Sequence, residues 1–254
     1  MLYVGKAFIG EAGQKNIESV TANDVRRTFA KWDSYARTTR YKRATLFRRM
    51  LRDLRDMHGL PRLWDAVPRV TAAPPRDVTA TAKERTALLS IAPPHLRCLI
   101  MLCWDLAIRS GTAIQLGPQH YDAERARLSF TTKYDARVDL PVPPELAKLV
   151  DDCHSPTVPF VTQLNPHGHA HLNNLRASFR RLCKKAGITR RITLHDLRRS
   201  TAVRVQDETR DLRLVQAVLG HRNLQSTLHY LDHRMTRVPD NLLTHRESPT
   251  DLIQ

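Results

Sequence analysis

The chain has 254 residues, enough for one large domain or two smaller ones with buried cores. Its 41 lysine and arginine residues exceed 25 acidic residues, which gives a formal net charge of +16 and favours a polyanionic partner. The longest apolar run, residues 98–108, is far shorter than the roughly 18 residues that span a bilayer, and the N-terminus lacks the pattern of an export signal. We therefore expect a cytoplasmic protein with no membrane segment that binds nucleic acid.

Residues 20–60 predict two helices with little structure before residue 22, so we expect a short N-terminal domain. Thr21 and Asp24 have the spacing of a capping box at the start of the first helix, and Gly59 ends the second. The second helix has many basic residues and only Asp53 and Asp56 to pair with them, which favours a phosphate-contacting surface over a merely solvated face. The residues predicted to contact DNA are Arg40, Lys42, Arg43, Arg48, Arg49 and Arg52.

A linker and a short β-hairpin are predicted in the middle of the chain. Residues 67–80 are rich in proline and alanine and lack periodicity, which is typical of a linker. Residues 81–106 predict helices, the first of them opened by a capping box between Thr81 and Glu84. Apolar residues alternate between 125 and 143, with a turn at 133–136, and the remainder is helical again. The predicted fold is therefore mainly α with a small β-hairpin or sheet.

One helix near residue 194 carries two residues suited to phosphate chemistry. Thr193 and Asp196 predict its capping box, and His195 and Arg198 stand at i and i+3, on one face of the helix. Arginine presents a planar fork to a phosphate, and histidine exchanges a proton near neutral pH. The HxxR pattern alone is most often an ordinary surface pair, so its meaning depends on the residues that follow.

Two more polar residues follow within the next two predicted helices. Gly220 ends the capped helix predicted in DLRLVQAVLGHRN and projects His221 outward at the turn. The next helix is predicted to bury Leu224, Leu228 and Leu231. Tyr230 lies off that apolar stripe, which indicates that its phenol has a role other than core packing.

These segments resemble the tyrosine recombinase (phage integrase) family. HDLRRS followed by LGHRNLQSTLHY, with Tyr230 nine residues after His221, looks like the C-terminal signature of that family. LAIRSGTAIQL resembles its first arginine box, with Arg109 at the active position, and FTTKYDARVDLPV resembles its hairpin, with Lys133 at the lysine position. The resemblance covers residues 80–235 and extends more loosely to the N-terminal part.

The resemblance implies two domains and a reaction. Residues 1–74 would form a helical core-type DNA-binding domain, and residues 75–254 a catalytic domain with a C-terminal tail. A homotetramer on two double-stranded recombination sites would cut and rejoin DNA through a 3′-phosphotyrosine intermediate, for integration, excision or dimer resolution of a mobile element or replicon. Neither metal nor cofactor is needed, because arginines neutralise the phosphate charge. The catalytic residues implied are Tyr230, Arg109, Lys133, His195, Arg198 and His221.

Two departures from the family pattern keep other interpretations open. Ala107 stands where the family usually has glycine, and Thr112 stands where it often has an acidic residue. A type IB-like topoisomerase would use the same chemistry on one duplex, and a decayed integrase would bind DNA without cutting it. The histidines of HGHAH, residues 167–171, lack a carboxylate or cysteine at ligand spacing, so we expect a loop there and no metal site.

Overall fold

The computed structural model describes residues 2–13, 15–74, 76–132 and 137–231, apart from the side chains of Leu2, His229 and Tyr230. The chain divides into two compact units, residues 1–76 and 77–254, called here the N-terminal and C-terminal units. Both are mainly helical, and a small antiparallel sheet completes the C-terminal unit, which confirms the predicted fold class. Across the described ranges, no helix has the length and apolar character needed to cross a bilayer.

The N-terminal unit contains a helix that the sequence does not predict. Helices α1 (Leu2–Ala12), α2 (Ala22–Ala30) and α3 (Arg37–His58) are joined by short turns, and α1 corrects the expectation that little precedes residue 22. Val4 and Phe8 of α1 are buried with Phe47 of α3 in one apolar cluster. The glycines and exposed apolar residues of α1 hide its helical period, so its apolar face gains meaning only against α2 and α3.

The ends of α2 and α3 follow the predicted local rules. The Thr21 and Asp24 side chains each bond to the other residue's backbone N–H, which makes the capping box at the start of α2. Gly59 ends α3 in the left-handed region, at φ 66°, where glycine carries no Cβ penalty. These two signals are local, which explains why the sequence alone predicts them.

The C-terminal unit is built around one almost entirely buried helix, α5. Residues Cys98 to Leu102 of this helix are at most 1 % exposed, and helices from several directions pack on it. The described helices of the unit are α4 (Ala82–Ile91), α5 (Pro94–Trp104), α6 (Ser110–Ala113), α7 (Pro144–Asp151), α8 (Phe160–Gln163), α9 (Leu172–Lys185), α10 (Leu194–Thr209), α11 (Leu212–Leu219) and α12 (Leu224–Leu231).

The sheet contains the predicted hairpin and one additional short strand. Strands β2 (Arg127–Thr131) and β3 (Arg137–Pro141) pair antiparallel, with Leu128 opposite Leu140 and Phe130 opposite Val138. Strand β1 (Tyr121–Asp122) adds to the free edge of β2, in the order β1-β2-β3. A strand of two residues leaves no alternating pattern to read, so the sequence does not predict it. The turn at 133–136 lies outside the described residues.

Helices α10, α11 and α12 share a smaller apolar cluster beside the main core. Its buried members are Ala107, Ala202, Val203, Val215, Leu219 and Leu231. The prediction that Leu224 is buried is wrong: its side chain is 40 % exposed. Leu231 is buried as predicted and Leu228 is half-buried, while the second fully buried position described in α12 is Thr227. The apolar pattern did not predict the buried face of α12, because that face includes Thr227, whose hydroxyl contacts the buried His221.

Candidate active site

Helix α10 begins at a capping box that fixes which of its residues face inward. The Asp196 carboxylate accepts from the Thr193 N–H at 2.8 Å, and the Asp196 N–H donates back to the Thr193 hydroxyl at 3.3 Å. With the helix start defined, Leu197, Arg198 and Thr201 point into the unit. The Thr201 hydroxyl donates to the Trp104 carbonyl at the end of α5, which ties the two helices together beside the site.

Arg198 is a buried cation whose described hydrogen-bond partners are uncharged. Its side chain is 3 % exposed, and its guanidinium donates to the Ala107 carbonyl, to the Leu219 carbonyl at 2.6 Å and to His221 Nε2 at 3.2 Å. Carbonyl oxygens satisfy the donors of a buried arginine without neutralising its positive charge. The arrangement therefore places a fixed cation at the meeting point of α5, α10 and α11.

The Ala107 carbonyl reaches Arg198 because the chain reverses direction there. Ala107 has φ 52°, in the left-handed region where a glycine would be unstrained, and its side chain is fully buried. The position is the one at which the family resemblance leads one to expect glycine. Alanine retains this turn at a cost of about 1–2 kcal/mol.

His221 packs inside the site, so the prediction that it projects outward is wrong. Gly220 ends α11 at φ 55°, and the turn brings the ring of His221 against Arg198, leaving the residue 7 % exposed. Its Nδ1 lies 3.1 Å from the Thr227 hydroxyl, and its carbonyl accepts from the Gln216 amide at 2.8 Å. Burial, together with the charges of Arg198 and Arg109, lowers the pKa of His221 to about 4.

Arg109 and His195 complete the described part of the cluster. Arg109 is the residue before α6, and it lines a narrow pocket together with Arg198, Thr112 and Thr132. His195 is exposed at the surface, one turn before Arg198 on α10. Partial burial of its ring and the nearby Arg198 guanidinium lower the pKa of His195 despite the opposing charge of Asp196. Both histidines are therefore neutral near pH 7, and His195 is suited to accept a proton.

Thr112 lies in the wall of the same narrow pocket. A carboxylate at this position would oppose the positive charges of Arg109 and Arg198 and raise the pKa values of the neighbouring histidines. Threonine carries no negative charge, so it does not oppose the positive charges of Arg109 and Arg198. The departure noted in the sequence therefore has a definite electrostatic consequence, because Arg198 and Arg109 lower the pKa of His221 and threonine adds no negative charge to oppose them.

Two of the predicted catalytic residues are not described at their side chains. Lys133 lies outside the described residues, between Thr132 and Arg137 of the hairpin. Tyr230 belongs to α12, three residues after the buried Thr227, but its side chain lies outside the description. The Thr132 hydroxyl is buried without a hydrogen-bond partner among the described atoms. A polar atom therefore faces the pocket directly beside the predicted lysine.

The basic residues predicted to contact DNA on α3 differ in their local partners. Arg40 pairs with Asp33 at 2.7 Å, and the Arg48 guanidinium donates to the Val67 carbonyl at 2.8 Å. The Arg43 guanidinium lies 3.9 Å from the ring centroid of Tyr35. Lys42, Arg49 and Arg52 are exposed, and Arg52 lies 5.7 Å from the centroid of Trp64. The exposed basic side chains of Lys42, Arg49 and Arg52 are therefore better placed to reach a ligand than that of Arg48.

Sequence reasoning did not assign a role to the basic face of α9. Arg176, Arg180 and Lys184 recur on one face of this helix, while Leu175, Phe179 and Leu182 are buried on the other. With Arg191 and His195, the basic residues line a groove of about 470 Å³ that ends at the candidate site. The four-residue spacing in LRASFRRLCKK was the available signal. Such a groove suits a polyanionic strand.

The histidines of HGHAH do not form a metal site within the described structure. His169 Nδ1 lies 2.7 Å from the His167 carbonyl, which is a contact within a turn. In the described ranges, no group of three or more histidine, cysteine or acidic side chains is arranged to hold a metal ion.

Comparisons with known proteins agree with this architecture. The family profile described as "Phage integrase family" matches residues 79–237. Two curated proteins of Sinorhizobium fredii, named integrase/recombinase y4eF and y4qK, are 27 % identical over 169 residues and 28 % identical over 162 residues. These matches cover 64 % and 61 % of this chain but only 64 % and 50 % of the relatives, so the chain spans less than two thirds of their length.

Solved structures support the fold. A lambda integrase dimer bound to a COC′ core site aligns with 93 % of this chain and 88 % of its own, at a TM-score of 0.74 and 15 % identity. The Tn1549 transposon integrase in complex with a circular intermediate DNA aligns with 90 % and 88 %, at a TM-score of 0.68 and 14 % identity. The family profile covers more than half of the chain, including Arg109, Arg198, His221 and Tyr230, and on this evidence the chain belongs to the phage integrase family.

Proposed function

We propose that this protein is a site-specific DNA recombinase that cuts and rejoins strands through a 3′-phosphotyrosine at Tyr230. The observation that carries the proposal is that Arg109 and Arg198 line one pocket and His221 contacts Arg198, with the helix that contains Tyr230 packed against His221 through Thr227. Two fixed cations and neutral imidazoles suit a phosphodiester in transition, whose non-bridging oxygens gain charge. Family membership supports the reaction type.

Each residue has a distinct part in the proposed reaction. The Tyr230 oxygen attacks the scissile phosphorus as its proton passes to His195, and a new P–O bond forms while the bond to the 5′-oxygen breaks. Lys133 protonates the departing 5′-oxygen as general acid. Arg109 and Arg198 neutralise the non-bridging oxygens, and His221 donates a hydrogen bond to one of them. The reverse attack by a 5′-hydroxyl rejoins the strand, so no external energy source or metal ion enters the scheme.

The proposed ligand is double-stranded DNA, held by both units. The net charge of +16, the exposed basic residues of α3 and the groove along α9 support this proposal. The N-terminal unit would act as the core-type DNA-binding domain and the C-terminal unit as the catalytic domain. We propose a homotetramer on two recombination sites, by analogy with a lambda integrase tetramer bound to a Holliday junction. We also propose a cytoplasmic location with nucleoid association, on the ground that the proposed substrate is DNA.

Covalent trapping tests the proposal directly. The protein is incubated with nicked duplexes from its genomic neighbourhood, which release a short strand after cleavage and so prevent religation. Denaturing gels should show a DNA-linked band for the wild type and none for Tyr230→Phe. A band present in both proteins would mean that another nucleophile acts. Tight, salt-sensitive binding without any band would instead support a DNA-binding protein that does not cut.

A second substrate separates recombination from topoisomerase activity. A plasmid with two copies of the trapped site should give recombinant circles with the wild-type protein. Relaxation of plasmids regardless of sequence, at equal rates with and without the site, would favour the type IB-like alternative.

A further inference from the structure

The buried hydroxyl of Thr227 is the feature that the reaction scheme above leaves unused. Its residue is 0 % exposed, on the inner face of α12, and its Oγ1 lies 3.1 Å from Nδ1 of His221. It stands three residues before Tyr230 on the same helix. A contact from this hydroxyl to His221 therefore connects the helix of the nucleophile to a histidine that meets Arg198.

The partners of His221 in the structure define the protonation of its ring. Arginine has only donors, so the Arg198 N–H that lies 3.2 Å from His221 Nε2 requires an unprotonated Nε2. Burial and two nearby arginines keep the ring neutral, since they lower the pKa of His221 to about 4. The proton of the neutral ring is then on Nδ1, and Thr227 Oγ1 accepts the hydrogen bond that Nδ1–H donates. These two contacts therefore require the Nδ1–H tautomer.

Phosphate binding requires the opposite tautomer. A phosphoryl oxygen is an acceptor, so a neutral His221 can bond to it only through Nε2–H, and Nδ1 must then become the acceptor. We propose that Thr227 is a positioning residue whose hydroxyl accepts from His221 in the arrangement seen here and donates to it when His221 binds a DNA phosphate. This inference rests on the proposed function, because it assigns a phosphate to the site.

A hydroxyl is one of the few side-chain groups that permit this exchange. A backbone carbonyl or a carboxylate at the same place would accept only, and would hold the proton on Nδ1. A hydroxyl has one donor and two acceptor sites, and it changes role by rotating about its C–O bond. Because Thr227 and Tyr230 share α12, the seating of this helix controls both the nucleophile and the partner of His221.

Nitrogen-15 NMR of histidine-labelled protein measures the tautomer without reference to activity. The His221 resonances are assigned by comparison with His221→Gln. Wild-type protein alone should show Nδ1 protonated, and the complex of Tyr230→Phe with the nicked duplex should show Nε2 protonated. The same tautomer in both states would overturn the proposal, and so would a doubly protonated ring in the complex.

Substitutions at Thr227 test the same inference through the rate of cleavage. Thr227→Val keeps the shape and removes the hydroxyl, so single-turnover formation of the covalent product should slow by about 10–100-fold while DNA affinity stays unchanged. Thr227→Ser keeps the hydroxyl and should remain within about threefold of the wild type. Thr28→Val is the matched control, since Thr28 is also 0 % exposed but belongs to the core of the N-terminal unit.

The outcomes separate this inference from the proposed function. If the wild type forms no covalent product, the proposed function fails. If the wild type does form one and Thr227→Val matches its rate, or Thr227→Ser is as slow as Thr227→Val, the role of the hydroxyl is refuted. Should Thr227→Val fail to fold, the serine variant and the wild-type tautomers still decide the question.

Discussion

At the scale of single residues, the described partners of Arg198 leave its positive charge in place. A carboxylate beside this buried guanidinium would have stabilised it and cancelled its field. The carbonyls of Ala107 and Leu219 accept from its two terminal nitrogens and carry no net charge of their own. The consequence appears at the neighbouring imidazoles, since His195 and His221 both have lowered pKa values.

This arrangement predicts an acid-sensitive fold. Because the pKa of His221 is about 4 in the folded protein and 6.5 in the unfolded chain, the unfolded chain takes up the proton first as pH falls. The stabilisation is fully present above pH 6.5 and is lost as pH falls from 6.5 towards 4. Between about pH 7.5 and about pH 5, this one group should remove roughly 2 kcal/mol from the free energy of unfolding.

Urea unfolding of the wild type and of His221→Gln measures this contribution. His195 titrates in both proteins, so the difference between their pH dependences isolates His221. The variant should lose about 2 kcal/mol less than the wild type over the same pH range. Equal losses in the two proteins would contradict a neutral, buried His221.

At the scale of elements, Gly220 couples the hairpin to the end of α11. A Cβ placed on Gly220 would lie 2.8 Å from Val138 Cγ2 and 3.0 Å from Thr132 Cγ2. These are branched side chains at the base of the hairpin that carries Lys133, and they have little freedom to move aside. The glycine therefore serves a close approach as well as a left-handed turn, and it precedes His221 directly.

Gly220→Ala should destabilise the protein by more than the backbone strain alone. Gly187→Ala is the matched control, because Gly187 also has positive φ, 73°, but its Cβ would meet nothing within 4 Å. We expect about 1 kcal/mol of destabilisation for the control and about 1–3 kcal/mol more for Gly220→Ala, by denaturant unfolding. Adding Val138→Ala should return part of this excess. Equal losses in the free energy of unfolding for the two variants would show that Val138 and Thr132 move aside without strain.

The basic face of α3 predicts a division between DNA binding and stability. Lys42 and Arg49 are exposed, whereas the Arg48 guanidinium bonds to the Val67 carbonyl. Replacing Lys42 and Arg49 with alanine should reduce the slope of log K against log salt by up to about 0.9 for each phosphate that the variant no longer neutralises. Arg48→Ala should leave that slope unchanged and lower the free energy of unfolding. A smaller slope for Arg48→Ala, with an unchanged slope for the Lys42 and Arg49 variant, would mean that the side of α3 with Arg48 faces the DNA.

The sequence predicts elements whose signals are local and misses features that depend on distant partners. Thr193, Asp196 and Gly220 mark helix ends by their own chemistry, so the caps are as expected. The inward turn of His221 depends on Arg198, and the burial of Thr227 depends on His221, which no periodic pattern encodes. The predicted stripe on α12 failed at Leu224 for the same reason.

At the scale of the whole molecule, each unit has its own apolar core. Phe29, Phe47 and Leu51 are buried in the N-terminal unit, and α5 fills the centre of the C-terminal unit. The segment between the two cores contains no helix or strand among its described residues, 67–74 and 76–81. Exposed Arg69 and Arg76 within this segment offer tryptic sites.

Mild trypsin treatment should therefore cut at Arg69 or Arg76 before it degrades either unit, and calorimetry of the intact chain should resolve two transitions. The C-terminal fragment contains Arg109, Lys133, His195, Arg198, His221 and Tyr230, so it should still form the covalent product with nicked DNA. The fragment lacks the exposed basic residues of α3. It should therefore require a higher protein concentration to form the product, and its DNA binding should depend less steeply on salt concentration. One transition and unselective cleavage would mean that the units fold together. A fragment that keeps its pH-dependent stability but forms no product would show that cleavage requires the N-terminal unit.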